Sequence, residues 1–188
     1  VYQYSTVARD MFVDVLKHYG AEVVALGRSE TFIPVDTEAV SPDTLEKLEA
    51  WAREHHFDAI ISADGDGDRP LLADEKGVPL RGDLLGLITA NFLKAQVVVT
   101  PVTSNSGIEA SGDFDVVRTK VGSPFVIAGM DEALAAGKQG IIGFEANGGF
   151  LTASPFELNG QTISPLPTRD CFLPLLAALK LTADQKKP

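Results

Sequence analysis

Val7, Met11, Val15 and Leu16, with Phe12 and Tyr19 filling in, recur at helical spacing, and Gly20 ends the run; the pattern predicts a helix over 6–19. The β-branched, apolar stretch 21–26 (AEVVAL) predicts a strand. Ser41 followed by Pro42 is a helix-start signal, and Leu45, Leu48, Trp51 and Ala52 form the inward face of a helix over 44–55. Short buried strands are expected at 57–62 and 71–74, the second closed by the turn Glu75-Lys76-Gly77.

From residue 84 the alternation repeats. Helices are expected over 84–94, 106–110, 124–136 and 168–179, and strands over 96–102, 114–119 and 141–144. Phe125, Val126, Met130 and Leu134 would share one helix face, and 150–153 would pair with the strand before it. The polar end, 182–188, is expected to fray. Helices alternating with short apolar strands specify an α/β fold. The chain divides into two small three-layer α/β domains with mixed sheets, 1–83 and 84–188.

Composition narrows the function classes. Hydrophobic residues make up 45% and charged residues 22% of the 188 positions, as in a packed globular protein. Sixteen basic and 26 acidic residues leave a net charge of −10, which argues against nucleic acid or anionic membrane as a partner held by general charge. With one cysteine, Cys171, no intramolecular disulfide forms, and a reducing, cytoplasmic setting is expected. No apolar run is long enough to cross a bilayer; 84–93 is broken by Gly86, Thr89 and Asn91. The chain opens at Val1 and reads as a piece of a longer protein. His18, His55 and His56 are scattered and suit a surface, Cys171 suits a buried thiol, and Trp51 and the phenylalanines suit the core.

The most informative stretch is Ala63-Asp64-Gly65-Asp66-Gly67-Asp68-Arg69. Three carboxylates at alternate positions after a buried strand repel one another, and a divalent cation removes that cost. The glycines allow the backbone to turn all three toward one point. All-oxygen ligands suit Mg²⁺ or Ca²⁺ rather than Zn²⁺. Arg69 can balance the carboxylates or, once a cation neutralises them, grip a phosphate through two hydrogen bonds. An EF-hand-like Ca²⁺ module would place Glu75 at loop position twelve, but position six holds Arg69 instead of glycine, and a strand precedes the loop. A haloacid-dehalogenase-type sugar phosphatase would use Asp64 as nucleophile and Asp66 as general acid, but Asp68 departs from that motif.

The loop at 63–69 resembles the metal-binding loop of the α-D-phosphohexomutases, the family of phosphomannomutases, phosphoglucomutases and phosphoglucosamine mutases. Four further stretches, in order, are similar to that family: 4–10 (YSTVARD), 32–38 (FIPVDTE), 118–122 (RTKVG) and 143–148 (GFEANG), the last resembling its sugar-recognition loop. The resemblance implies the middle two of four domains. It implies reversible transfer of phosphate between C1 and C6 of a hexose phosphate, mannose or glucose, through a phosphoserine enzyme and a bisphosphate intermediate. Asp64, Asp66 and Asp68 would hold Mg²⁺, Arg69 would approach the transferring phosphate, and Lys120 would reach a phosphate or cap its turn. Glu145, Asn147 and Gly148 would meet the sugar.

The departures bear on specificity. Asn147 stands where the family usually has serine, Gly149 where it often has histidine, and Ser123 where some members have histidine or aspartate. The serine-bearing first domain and the phosphate-holding last domain would be the missing partners of this chain. The stretch 152–155 (TASP) superficially matches the serine loop but follows the sugar loop and lacks its His-Asn step. The chain alone is therefore expected to bind Mg²⁺ weakly and to turn over no hexose phosphate.

Overall fold

The computed structural model describes residues 1–111 and 114–185. In the first unit, β1 (Ile60–Ala63) and β2 (Pro70–Ala73) pair antiparallel, Ile60 opposite Ala73. The opening residues extend this sheet: the Tyr2 N–H donates to the Ile61 carbonyl at 2.9 Å, and Tyr2 bridges Leu26 in parallel. Helix α1 (Arg9–His18) covers one face, setting Ala8 and Phe12 on Ile61, Ala63 and Leu72. Helix α2 (Pro42–His55) covers the other, setting Leu48 and Ala52 on Ile60, Leu71 and Ala73. Successive strand residues face opposite layers, so an uninterrupted apolar run is buried on both sides.

The second unit repeats the three layers at larger size. Helix α3 (Gly82–Leu93) leads into β3 (Val97–Pro101), the short α4 (Ile108–Ser111), β4 (Asp115–Thr119), α5 (Ser123–Ala135) and β5 (Ile141–Phe144). Then come β6 (Phe150–Thr152), the β7 (Phe156–Leu158) and β8 (Gln161–Ile163) hairpin, β9 (Leu166–Asp170) and α6 (Phe172–Gln185). The main sheet runs β4-β3-β5-β6-β9, parallel among its first three strands and antiparallel beyond, so the expected mixed α/β class holds. Val97 and Val99 face α5 through Val126 and Met130, while Val98 faces α3 through Ala90 and Leu93. The two units share apolar surface: Leu85 of α3 and Leu175 and Ala178 of α6 lie in one buried cluster with Phe12, Ile61 and Leu72.

Several expectations are corrected. Residues 21–25 form no strand; only Leu26 makes a bridge, and Val24 is 36% exposed. A β-branched run has a strand's periodicity at a sheet edge whether or not a partner takes up its hydrogen bonds. Helix α1 is shorter than 6–19, and Val7, Met11 and Tyr19 are exposed. In α5, Phe125 and Leu134 face solvent, and Gly129 and Ala133 take the inner face with Val126 and Met130. Phe32, expected in the core, is 74% exposed. The last helix starts at Phe172, because Asp170 accepts the Phe172 and Leu173 N–H groups and caps it, while 166–170 belongs to β9. The expected fraying at 182–185 gives way to helix, and 186–188 lie outside the described residues.

Gly86 lets α3 approach the sheet. A Cβ there would lie 2.5 Å from Phe144 Cγ. Alanine at a helix interior gains about 1 kcal/mol over glycine, but overpacking costs about 1–3 kcal/mol. Because the obstacle is a fully buried ring, the steric term wins. Gly86→Ala lowers Tm in thermal denaturation, and the added loss is smaller when Phe144 is already leucine.

Candidate functional site

Burial and local hydrogen bonds build the aspartate loop. Asp64 directly follows β1 and is buried, Asp66 is exposed and Asp68 is half-buried. The loop folds back on itself: the Asp64 N–H donates to the Arg69 carbonyl at 3.0 Å, and the Gly67 N–H to the Asp64 carbonyl at 3.1 Å. Gly67 adopts φ +78°, a left-handed angle that glycine takes without strain. Asp64 Oδ1 accepts the N–H groups of Asp68 (3.1 Å) and Arg69 (3.0 Å), which aims its carboxylate into the loop. Behind the strand end, the Tyr4 hydroxyl donates to the Ala63 carbonyl. Burial, and next the charge of Asp64, push the Tyr4 hydroxyl pKa up, so it stays a donor.

One oxygen from each of Asp64, Asp66 and Asp68 lies within 4.8 Å of the others. Mg²⁺ holds its ligands at about 2.1 Å, so oxygens on opposite sides of it are about 4.2 Å apart. Adjacent ligands on such an ion stand about 3.0 Å apart, so the three oxygens would draw together to bind one ion. The chemistry agrees: burial pushes the Asp64 carboxyl up to about 6, with Asp66 and Asp68 raising it further against the Arg69 N–H. Asp68 Oδ1 is buried with no hydrogen-bond partner. The residues thus fit a hard dication. Arg69 lies over the loop, with Nε 3.6 Å from Asp64 Oδ2 and 3.8 Å from Asp68 Oδ1, and that Nε makes no hydrogen bond.

The second loop, 145–149, follows β5 and packs against the first unit. Gly148 has φ +88°, and a Cβ there would lie 2.9 Å from Cγ of Pro70, the residue directly after Arg69. The Thr37 hydroxyl donates to the Asn147 carbonyl at 3.1 Å. Glu145 is 6% exposed, and its Oε2 is buried with no hydrogen-bond partner, so a buried acceptor remains for a ligand's hydroxyl. Asn147 Oδ1 accepts the Gly149 N–H at 3.0 Å, which leaves its amide donors rather than its acceptor for other partners.

The structure thus places the Asp64, Asp66, Asp68 and Arg69 loop beside the Glu145, Asn147 and Gly148 loop. Lys120 is exposed, with Nζ 5.6 Å from the Phe125 ring centroid, and among the described residues it forms no ion pair with either loop. Ser154 is buried, and its Oγ accepts the Ile141 N–H at 3.0 Å, a structural use. His18, His55 and His56 are exposed. Cys171 is buried, and burial pushes its thiol up to about 12, which makes it unreactive. Sequence reasoning missed Arg169, whose Nη2 lies 2.9 Å from Asp68 Oδ2. It sits 101 positions from Asp68 in a stretch expected to be helical, and no local pattern marks it.

Comparison with known proteins decides the lineage. Residues 1–77 match the model for phosphoglucomutase/phosphomannomutase alpha/beta/alpha domain II, and residues 81–188 match the model for domain III. The chain belongs to the phosphoglucomutase/phosphomannomutase family. A phosphomannomutase of Sinorhizobium fredii is 58% identical over all 188 residues, and one of Salmonella muenchen 50% identical over 181 residues, or 95% of the chain. The chain spans 40% and 37% of the length of these two relatives. Solved structures share its fold. One is a phosphoglucomutase/phosphomannomutase family protein from Burkholderia thailandensis, with TM-score 0.67 and 18% identity over 93% of the chain and 37% of that protein. Another is the phosphoglucomutase parafusin from Paramecium, with TM-score 0.59 and 19% identity over 95% of the chain and 31% of that protein. Among the described residues, no helix is long and apolar enough to cross a membrane.

Proposed function

We propose that the protein carrying this chain is a Mg²⁺-dependent phosphohexomutase that moves phosphate reversibly between C1 and C6 of a hexose, mannose or glucose. The transfer runs through a phosphoserine and a bisphosphate, and the serine lies outside this chain. Residues 1–83 supply the metal loop and 84–188 the sugar loop, as the second and third domains. The observation that carries this reading is the meeting of the aspartate triad with a second loop whose buried Glu145 oxygen lacks a partner. The identity to phosphomannomutases supports it.

Asp64, Asp66 and Asp68 would hold Mg²⁺, which supplies Lewis-acid stabilisation of a transferring phosphate. With the carboxylates neutralised, Arg69 would present its guanidinium fork to phosphate oxygens. Glu145 accepts hydrogen bonds from sugar hydroxyls, and the amide of Asn147 donates to them. Pro70 and Thr37 hold the 145–149 loop against the first unit, so that sugar and phosphate are bound in one orientation.

The test is ³¹P NMR of the full-length protein with mannose 1-phosphate or glucose 1-phosphate. Interconversion with the 6-phosphate, dependent on Mg²⁺, is expected. Glu145→Gln should lower kcat/KM by roughly 10- to 100-fold, the scale of one charge-assisted hydrogen bond. Release of inorganic phosphate without isomerisation would overturn the reading. The 188-residue chain by itself should show no turnover.

A further inference from the structure

We propose that Arg169 is a positioning residue that ties the aspartate loop to the loop carrying Glu145, so that a cation held by Asp64, Asp66 and Asp68 is felt at Glu145. The inference deepens the functional reading above and rests on its metal site. Arg169 lies in β9 beside the cap of α6, on the second unit, and its side chain reaches back to the first. Its Nη2 stands 2.9 Å from Asp68 Oδ2. Its stem lies across Gly149, where a Cβ would come within 2.7 Å of Arg169 Cδ and 2.9 Å of Cγ. One side chain therefore touches a triad carboxylate at its tip and the 145–149 loop along its length.

The two more buried triad carboxylates are arranged alike. Asp64 has Oδ1 fixed by two backbone N–H groups. Asp68 has Oδ2 fixed by Arg169, while its Oδ1 is buried without a hydrogen-bond partner. In each, one oxygen is anchored and the other is left for an ion, the usual way outer partners orient ligands. Thr37, Pro70 and Gly82 also touch the 145–149 loop, at Asn147 and Gly148, without involving a triad carboxylate. Among the described residues, Arg169 is the side chain from the second unit that pairs with the triad. A cation that draws Asp68 inward must pull on Arg169 or release it, and either event changes what presses on Gly149.

Metal affinity alone is a poor readout. Removing Arg169 loses the orientation of Asp68 but also relieves repulsion between a guanidinium and a dication, and the two effects oppose each other. Transmission separates them. Hydrogen exchange followed by mass spectrometry on the full chain, with Mg²⁺ alone as the probe, reads both loops at once. In the wild type, Mg²⁺ should change exchange by about fivefold or more, the low end of ordinary coupling, in peptides covering 63–69 and 143–150. In Arg169→Met the change should stay within 63–69. Arg169→Lys, which keeps the charge, should restore part of the response at 143–150.

An unchanged response at 143–150 in Arg169→Met overturns the proposal, as does a wild-type response confined to 63–69. No Mg²⁺ response at either loop removes the metal reading of the proposed function, and this inference falls with it. Those outcomes are distinct from a mutase assay that fails while the exchange coupling persists.

Discussion

Mg²⁺ binding weakens by roughly a hundredfold or more when Asp64 is replaced by asparagine, as read by calorimetric titration. Altering a residue that merely supports a ligand costs about 10- to 100-fold, so loss of a ligand's charge costs at least the upper part of that range. Asp64 is the most buried of the three and the one whose direction the backbone sets, whereas Asp66 is exposed. Asparagine keeps the size and an acceptor for the two N–H groups, so the fold survives while the charge goes. The wild type should also lose affinity as pH falls through about 6, where the raised Asp64 carboxyl takes up a proton. The sign follows from competition: proton and cation claim one carboxylate, so affinity is full above that pH and declines below it. For the same reason the metal-free chain loses stability as pH rises from the ordinary aspartate range toward 6, since the folded state binds the proton more tightly than the unfolded state. Equal Mg²⁺ affinity in Asp64→Asn and wild type would exclude the triad as the cation site.

Phe144→Ala should cost about 3–5 kcal/mol of folding stability. At about 2–4 °C per kcal/mol for a chain of this size, Tm falls by roughly 6–20 °C in circular-dichroism melts. Transfer of a large side chain from water accounts for about 2–3 kcal/mol, and the cavity left behind supplies the rest. The cavity cannot close easily. The ring is fully buried, lies parallel to Phe150 at 6.2 Å between centroids, and meets α3 at Gly86. The Phe144 carbonyl also accepts the Thr100 hydroxyl at 2.8 Å, which locks the end of β5. Glu145 is the next residue, so Phe144→Ala also loosens the sugar loop. A Tm drop under about 2 °C would show that the layers repack around the gap and that Phe144 does not anchor the loop.

Much of the candidate site was legible in local sequence because its logic is local. Alternating Asp and Gly after a buried strand carries both its charge problem and its backbone solution within seven residues. Glu145 in a glycine-rich loop after a buried strand is equally compact. Arg169 was illegible because its meaning is an ion pair across 101 positions. Lys120 is exposed, and its expected reach to a phosphate or to its own turn stays an expectation.

By itself the sequence determined the layers, the buried runs of β1, β3 and β5, most helix positions and the two chemically loaded loops. Periodicity and turn chemistry act over a few residues, which is the range on which those features depend. Only the tertiary structure decided which apolar residues are covered: Phe12 is buried while Val7 and Met11 are not, and Phe32 is exposed. It also decided that 21–25 stay outside the sheet and that 166–170 join it, since strand identity depends on a partner for the backbone bonds. The approach of the two loops was likewise settled only there. It rests on glycines at 148 and 149 that leave room for Pro70 and Arg169, and such room exists only between surfaces that have already met.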